Sequence, residues 1–250
     1  ETKFSDHFLN SLFQKTCDCF ITLSSYVSNQ IKQNSSKNIL SSFHPINNFL
    51  PDAIEEKTAY KKLNLSPKKK YILFAGLIRK YKGVDLLIDA FKKISKEIPE
   101  LELLIAGEFY DDKRKYYEQI KNHQIENKVK IFDYFQSRDD LRDLFCISKI
   151  VVLPYKSASQ SGIIPLAYKY LRPIVTTDLP GLSNQILEDK TGIICKINSD
   201  SIANGIKKAL ESKNYVKMKS QISLKIKSYT WESFSLKAMN FIKNINNINK

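Results

Sequence analysis

Glycine is scarce in this 250-residue chain, at 7 residues, so a glycine set among serines just ahead of a helix, as in SASQSGIIPLAY (157–168), calls for a reason. Tryptophan occurs once, histidine three times and cysteine four times. The cysteines, Cys17, Cys19, Cys146 and Cys195, form no CxxC pair and share no metal-ligand spacing with the histidines. That argues against a disulfide scaffold and a structural zinc module, leaving reduced thiols with packing roles. Long apolar runs are also missing. The longest, YILFAGLI at 71–78, falls far short of the ~20 residues of a membrane span, and no signal-peptide pattern is present, so the expected location is cytoplasmic. Acidic residues are the last shortage: Asp and Glu number 26 against 40 Lys and Arg, a formal net charge of +14. Such a balance suits an anionic partner, whether nucleotide phosphate, nucleic acid or the inner face of a membrane touched peripherally.

What the chain does hold is a 42% hydrophobic composition, enough for a substantial core, arranged as short apolar runs between amphipathic stretches. YILFAG (71–76), LELLIAG (101–107), KVKIFDY (128–134), KIVVLP (149–154), PIVTT (173–177) and GIIC (192–195) read as buried strands. Strands apolar on both faces imply a parallel sheet covered by helices. Between the first two, Val84, Leu87, Phe91, Ile94 and Ile98 recur at helical spacing with Asp85, Asp89, Lys92, Lys93 and Lys96 between them, the pattern of a crossover helix. The repeated alternation predicts an α/β fold, a Rossmann-like doubly wound parallel sheet over 67–229. SSFHPINNFLPD (41–52) reads as a linker, and 44–66 as that linker plus a short helix. Residues 1–33 read as helix, strand, helix, and 230–250 as a further helix. The opening on Glu1 suggests a piece of a longer protein.

Two strand-to-helix loops carry the candidate chemistry. Pro165 fits the first turn of a helix, where its missing N–H costs little, which sets the start near Gly162 with Ser159 or Ser161 as cap. The N–H groups of Ser161, Gly162 and Ile163 then point outward at the positive end of the helix, where an anion is favoured. FAGLIRKYKG (74–83) brings Arg79 and Lys82 to the end of the first strand, a bidentate fork and a compact point charge respectively. An ordinary turn and solvated lysines remain the alternative readings of these loops.

FAGLIRKYKGVDLLIDAF, LLIAGEFYDD, VVLPYKSASQSGIIPLAY and PIVTTDLPGLSNQILEDKTGIIC occur in order over 71–195. Together they resemble the nucleotide-sugar-binding half of retaining glycosyltransferases of the GT-B fold, family four (group 1). The resemblance implies that 67–229 binds a UDP- or GDP-linked sugar and that 1–43 is a remnant of an acceptor-side half, to which the 230–250 helix crosses back. It places the donor diphosphate against Arg79, Lys82, Ser161, Gly162 and Ile163. The common pattern has its arginine directly after Gly76, where Leu77 stands, so Arg79 is a displaced counterpart. Gly76, Glu108, Tyr134, Phe135, Tyr155, Lys156, Ser159 and Gln160 fall in the vicinity of the sugar or nucleoside, with the base met by backbone groups near Tyr134 and Phe135. Paired family glutamates become Ser159 and Ala167, and a third acidic position becomes Asn184; Glu108, Gln160 or the Tyr155 and Lys156 pair are the substitutes to weigh.

The activity so implied is hexosyl transfer with retention to a glycan or lipid-linked acceptor, in cell-surface polysaccharide biosynthesis. The nucleotide sugar is a substrate, and neither cofactor nor metal is expected; His7, His44 and His123 lie outside the donor loops. Three alternatives stay open: a non-catalytic nucleotide-sugar-binding protein, a sugar-nucleotide epimerase and a polyanion binder. Nucleic acid is not the expected partner, because no recognition motif or aromatic platform accompanies the lysines.

Overall fold

A computed structural model describes residues 4–248. Six strands form one parallel sheet: β3 (Lys70–Ala75), β4 (Leu101–Ala106), β5 (Val129–Phe132), β6 (Ser148–Leu153), β7 (Ile174–Thr177) and β8 (Gly192–Cys195). Their spatial order is β5-β4-β3-β6-β7-β8. β4 is buried along its whole length and β3 at all but its first residue, which is why these segments are continuously apolar rather than alternating. The crossovers are α4 (Val84–Ser95), α5 (Arg114–Asn122), α6 (Arg138–Ile147), α7 (Ile163–Lys169) and α8 (Pro180–Asp189). On α4 the predicted stripe is buried at Val84, Leu87, Phe91 and Ile94; Ile98 lies beyond the helix end and packs against the core from there. α6 starts at a reciprocal cap in which Ser137 Oγ accepts from Asp140 N–H and the Asp140 carboxylate accepts from Ser137 N–H. α9 (Ser199–Leu210) packs on α4 and α10 (Ser212–Lys225) on α9.

Strand order reverses between β3 and β6, the first leading outward to β4 and β5, the second to β7 and β8. In open α/β sheets the crevice beyond the strand ends at such a reversal is where ligands bind. The loops after β3 and β6 are the two that the sequence singles out.

The preceding segment folds as α1 (Phe4–Thr16), β1 (Cys19–Thr22), α2 (Ser25–Lys32) and β2 (Asn38–Ser41), with β1 and β2 paired in parallel as a separate two-stranded sheet. β2 is an addition to the helix, strand, helix expected there; its four residues, none buried, give too little apolar signal to read. α3 (Glu56–Lys62) follows the linker. The last helix, α11 (Trp231–Ile248), packs on β2. Phe43 is central to this junction: its ring meets Tyr229 and Phe234 at 4.8 and 6.3 Å, and the Lys237 ammonium lies 4.5 Å from its centroid. Ile46 N–H donates to the Tyr229 carbonyl at 2.8 Å. The two stretches that join the parts of the chain therefore run side by side. Among the described residues no helix is long and apolar enough to cross a membrane.

Candidate functional site

The loop after β3 descends through Gly76, in the left-handed half of backbone space (φ +115°), to a short 3-10 turn at Lys80–Lys82 closed by Gly83 (φ +68°). A Cβ on Gly83 would lie 1.9 Å from the Pro154 carbonyl oxygen, so this loop is pressed onto the one that follows β6. Lys156 N–H donates to the Tyr81 carbonyl at 2.7 Å, and a Cβ on Gly76 would touch Ile163 at 3.5 Å. The two candidate loops thus meet, as a site shared between them requires.

Lys82 is partly buried at this contact. Its ammonium stands 3.9 Å from the centroid of the Tyr155 ring and 5.2 Å from that of Tyr81. It has no carboxylate partner among the described residues, and burial, with Arg79 adding to it, pulls its pKa from 10.5 to about 8. Arg79 is exposed, its guanidinium 4.6 Å from the centroid of Tyr110. Arg79, Tyr81, Tyr110 and Lys156 help line an open depression of about 600 Å³.

Across from these cations, α7 begins at Ile163 with Gly162 as its cap residue and Pro165 in its first turn. Neither Ser159 nor Ser161 is the cap, since that place falls to Gly162 and no side chain caps the helix; Ser161 Oγ instead accepts from Ile163 N–H at 3.3 Å from one residue further out. This leaves two of the three expected N–H groups, those of Ser161 and Gly162, without a partner among the described residues. Gly162 has ordinary helical angles (φ −67°), and a Cβ there would meet nothing within 4 Å, so a side chain at this position would extend into open space.

Other expected positions are placed differently. Tyr155 is fully buried and its hydroxyl lies 3.3 Å from Ser161 Oγ, so it reaches a ligand only through its neighbours. The Lys156 ammonium is taken by Asp85 at 2.6 Å. Ser159 turns its carbonyl to Ser24 Oγ, which donates at 2.9 Å, while Ala167 is wholly buried and Asn184 donates its amide to Ser25 Oγ at 3.2 Å. Ala167 therefore serves packing, and Asn184 and the Ser159 backbone tie the sheet domain to the β1–α2 segment, while the Ser159 side chain is exposed. Gln160 is exposed beside Ser159. Glu108 is half-buried beside the crevice, and its carbonyl accepts from Ile78 N–H at 2.8 Å, extending β3–β4 pairing into the loops.

After β5 the side chains of Tyr134 and Phe135 are exposed. Gln136, which sequence reasoning missed, shapes this loop: its buried amide donates to the carbonyls of Phe132 (3.1 Å) and Tyr134 (2.7 Å). The Tyr134 carbonyl is thus occupied, whereas the Tyr134 N–H and both backbone groups of Phe135 have no partner among the described residues. His123 bonds Asp89 at 2.7 Å and His44 Nδ1 faces the Pro45 carbonyl, both away from the crevice; the His7 side chain lies outside those described.

Fold and site together define a doubly wound α/β protein with a crevice at its switch point flanked by Arg79, Lys82 and the start of α7. Residues 55–228 match the family model of the glycosyl transferases group 1, and the chain belongs to that family. It is 26% identical over 206 residues to the lipopolysaccharide 1,2-N-acetylglucosaminetransferase of Salmonella typhimurium, covering 74% of this chain and 51% of the relative. It is 29% identical to an uncharacterized glycosyltransferase of Methanocaldococcus jannaschii, covering 76% and 49%. The chain thus spans about half the length of these curated relatives. Among solved structures, sucrose-phosphate synthase from Thermosynechococcus elongatus superposes with a TM-score of 0.81 at 16% identity, covering 99% of this chain and 63% of that one. Anabaena HepE in complex with UDP and glucose gives 0.80 at 15%, covering 97% and 68%. The architecture is that of GT-B glycosyltransferases.

Proposed function

We propose that this chain binds the nucleoside diphosphate of a UDP- or GDP-linked sugar, and that the protein it represents transfers the sugar, a hexose, with retention to a glycan or lipid-linked acceptor in cell-surface polysaccharide synthesis. The observation that carries this reading is Lys82, a partly buried ammonium with no carboxylate partner among the described residues, seated on the ring of Tyr155, whose hydroxyl meets Ser161 beside two N–H groups without a partner among those residues. Cations on one side and backbone donors on the other suit a diphosphate, and fixed groups of this kind stabilise it as it leaves the sugar. Arg79 adds a second, more exposed charge. Family membership and the UDP of HepE support the donor class, and the Salmonella relative's name supports a lipid-linked glycan as acceptor. A site at the inner face of the membrane suits such an acceptor and the net charge of +14.

A donor-binding protein without catalysis is the second reading. It is favoured by Ala167, which is wholly buried, and by Asn184, whose amide bonds Ser25, neither offering a carboxylate to the crevice.

Calorimetric titration with UDP, GDP and ADP tests the donor site. A charge-assisted hydrogen bond contributes roughly 1.5–3 kcal/mol, so Lys82→Ala should weaken diphosphate binding about ten- to a hundredfold and leave the free nucleoside unaffected. Lys68, exposed at the surface, is the control for diffuse charge. Equal losses for Lys82→Ala and Lys68→Ala would refute a specific phosphate site. Sugar transfer by the full-length parent, measured with radiolabelled donors, separates the two readings. The 250-residue chain alone is expected to bind donor without transferring it.

A further inference from the structure

Tyr155 is an unusual use of a tyrosine. It lies at the mouth of the proposed donor crevice yet exposes none of its surface, and each part of it is engaged by a different element. The face of its ring carries the Lys82 ammonium at 3.9 Å. Its hydroxyl stands 3.3 Å from Ser161 Oγ, the atom that also accepts from Ile163 N–H. Its carbonyl accepts from Thr177 Oγ1 at 2.6 Å, at the end of β7. The Tyr81 ring meets it edge-on at 6.4 Å. A single side chain thus touches both loops whose relative position decides whether cations and N–H groups converge on one anion.

We propose that Tyr155 is a positioning residue for the donor diphosphate: its ring seats the Lys82 ammonium and its hydroxyl orients Ser161 at the start of α7. This rests on the diphosphate reading above and adds to it the device that holds the two half-sites in register. The ring is suited to the task because its negative face attracts an ammonium without neutralising it. A carboxylate in the same place would take the charge the ligand needs. Burial also raises the phenol's pKa above its usual range, so the group stays neutral and does not become a competing anion. The groups facing Lys82 are Arg79 and Tyr81 from its own loop and Tyr155 from the loop after β6, while nearby Lys156 and Asp85 pair with each other. No carboxylate among the described residues pairs with Lys82.

The test is titration of this chain with UDP and with GDP between about pH 6.5 and 9, below the range where the ammonium of an ordinary lysine titrates. Tyr155→Phe keeps the aromatic face and should cost a few-fold in affinity with the pH midpoint of binding unmoved. Tyr155→Leu keeps the site desolvated but removes the face; it should cost roughly ten- to thirtyfold and move the midpoint to lower pH. A merely structural role would lower the melting temperature and leave that midpoint in place, and this result, or wild-type affinity in Tyr155→Leu, overturns the proposal. Should Tyr155→Leu fail to fold, Tyr155→Phe, Ser161→Ala and their double variant decide. Both cut the Tyr155–Ser161 link and Ser161→Ala also frees Ile163 N–H, so the double variant should lose no more than Ser161→Ala alone; additive losses overturn the proposal. Loss of binding in Lys82→Ala with none in the Tyr155 variants sinks the positioning role alone. Failure of the unaltered chain to bind UDP or GDP, or indifference to Lys82→Ala, overturns the diphosphate reading and this inference with it.

Discussion

Lys82 couples stability and ligand affinity to pH with opposite signs. Burial lowers its pKa from 10.5 to about 8, so between those values the unfolded chain binds the proton more firmly than the folded one. Its contribution to stability is therefore unfavourable below about pH 8 and is relieved as pH rises toward 10.5. On the proposed function the diphosphate meets the ammonium form, so its binding should fade as pH passes 8. Thermal scans without ligand are expected to show Lys82→Ala gaining on the unaltered chain at neutral pH, with the difference shrinking by pH 10; a difference independent of pH would contradict the depressed pKa. Gly162 offers a second test at this scale. A side chain there would enter open space next to two N–H groups unpaired among the described residues, its own and that of Ser161, so on the proposed function Gly162→Val should reduce UDP or GDP affinity while shifting the melting temperature little. Unchanged affinity would mean that no ligand approaches there.

At the scale of elements, the strands were legible because burial on both faces demands continuous apolar runs, and α4 because its buried and exposed residues alternate at helical spacing. Pro165 likewise set the start of α7 through the chemistry of its own missing N–H. β2 was not legible, since four half-exposed or exposed residues leave no pattern. Nor were the roles of Tyr155, Ser159 and Gln136, which depend on partners brought near by the fold: the Ser24 and Ser159 hydrogen bond spans 135 residues of sequence. Close packing of elements makes a further prediction at Gly107. It has φ +144°, and a Cβ there would fall 2.1 Å from the Gly76 carbonyl oxygen, where β4 runs into its loop beside β3. Gly107→Ala should cost about 2 kcal/mol or more through strain and displaced backbone, lowering the melting temperature by roughly 4–8 °C in a chain of this length. A loss below about one degree would mean that the loops separate freely.

For the whole molecule, the part preceding the linker is held to the larger sheet domain at several points. Ser24 does two of these tasks at once, accepting from Val27 N–H as the cap of α2 and donating to the Ser159 carbonyl. Ser24→Ala should therefore cost about 1 kcal/mol and speed amide exchange in residues 157–162 as well as in α2; exchange confined to α2 would show that the tie to Ser159 contributes nothing. The larger junction is at Ile46 and Tyr229, whose backbones share a 2.8 Å hydrogen bond. Topologically, the sheet domain between them is an insertion: it leaves and re-enters its neighbour at one place, so its own ends already touch. A domain of that kind can be re-sewn. Joining residue 229 to residue 46 by a short glycine and serine linker, and opening the chain at the exposed turn 196–198, should yield a circular permutant with the crevice between β3 and β6 intact. Its affinity for UDP or GDP should stay within a few-fold of the parent chain's, because the order in which the strands are synthesised has no part in the chemistry at their ends.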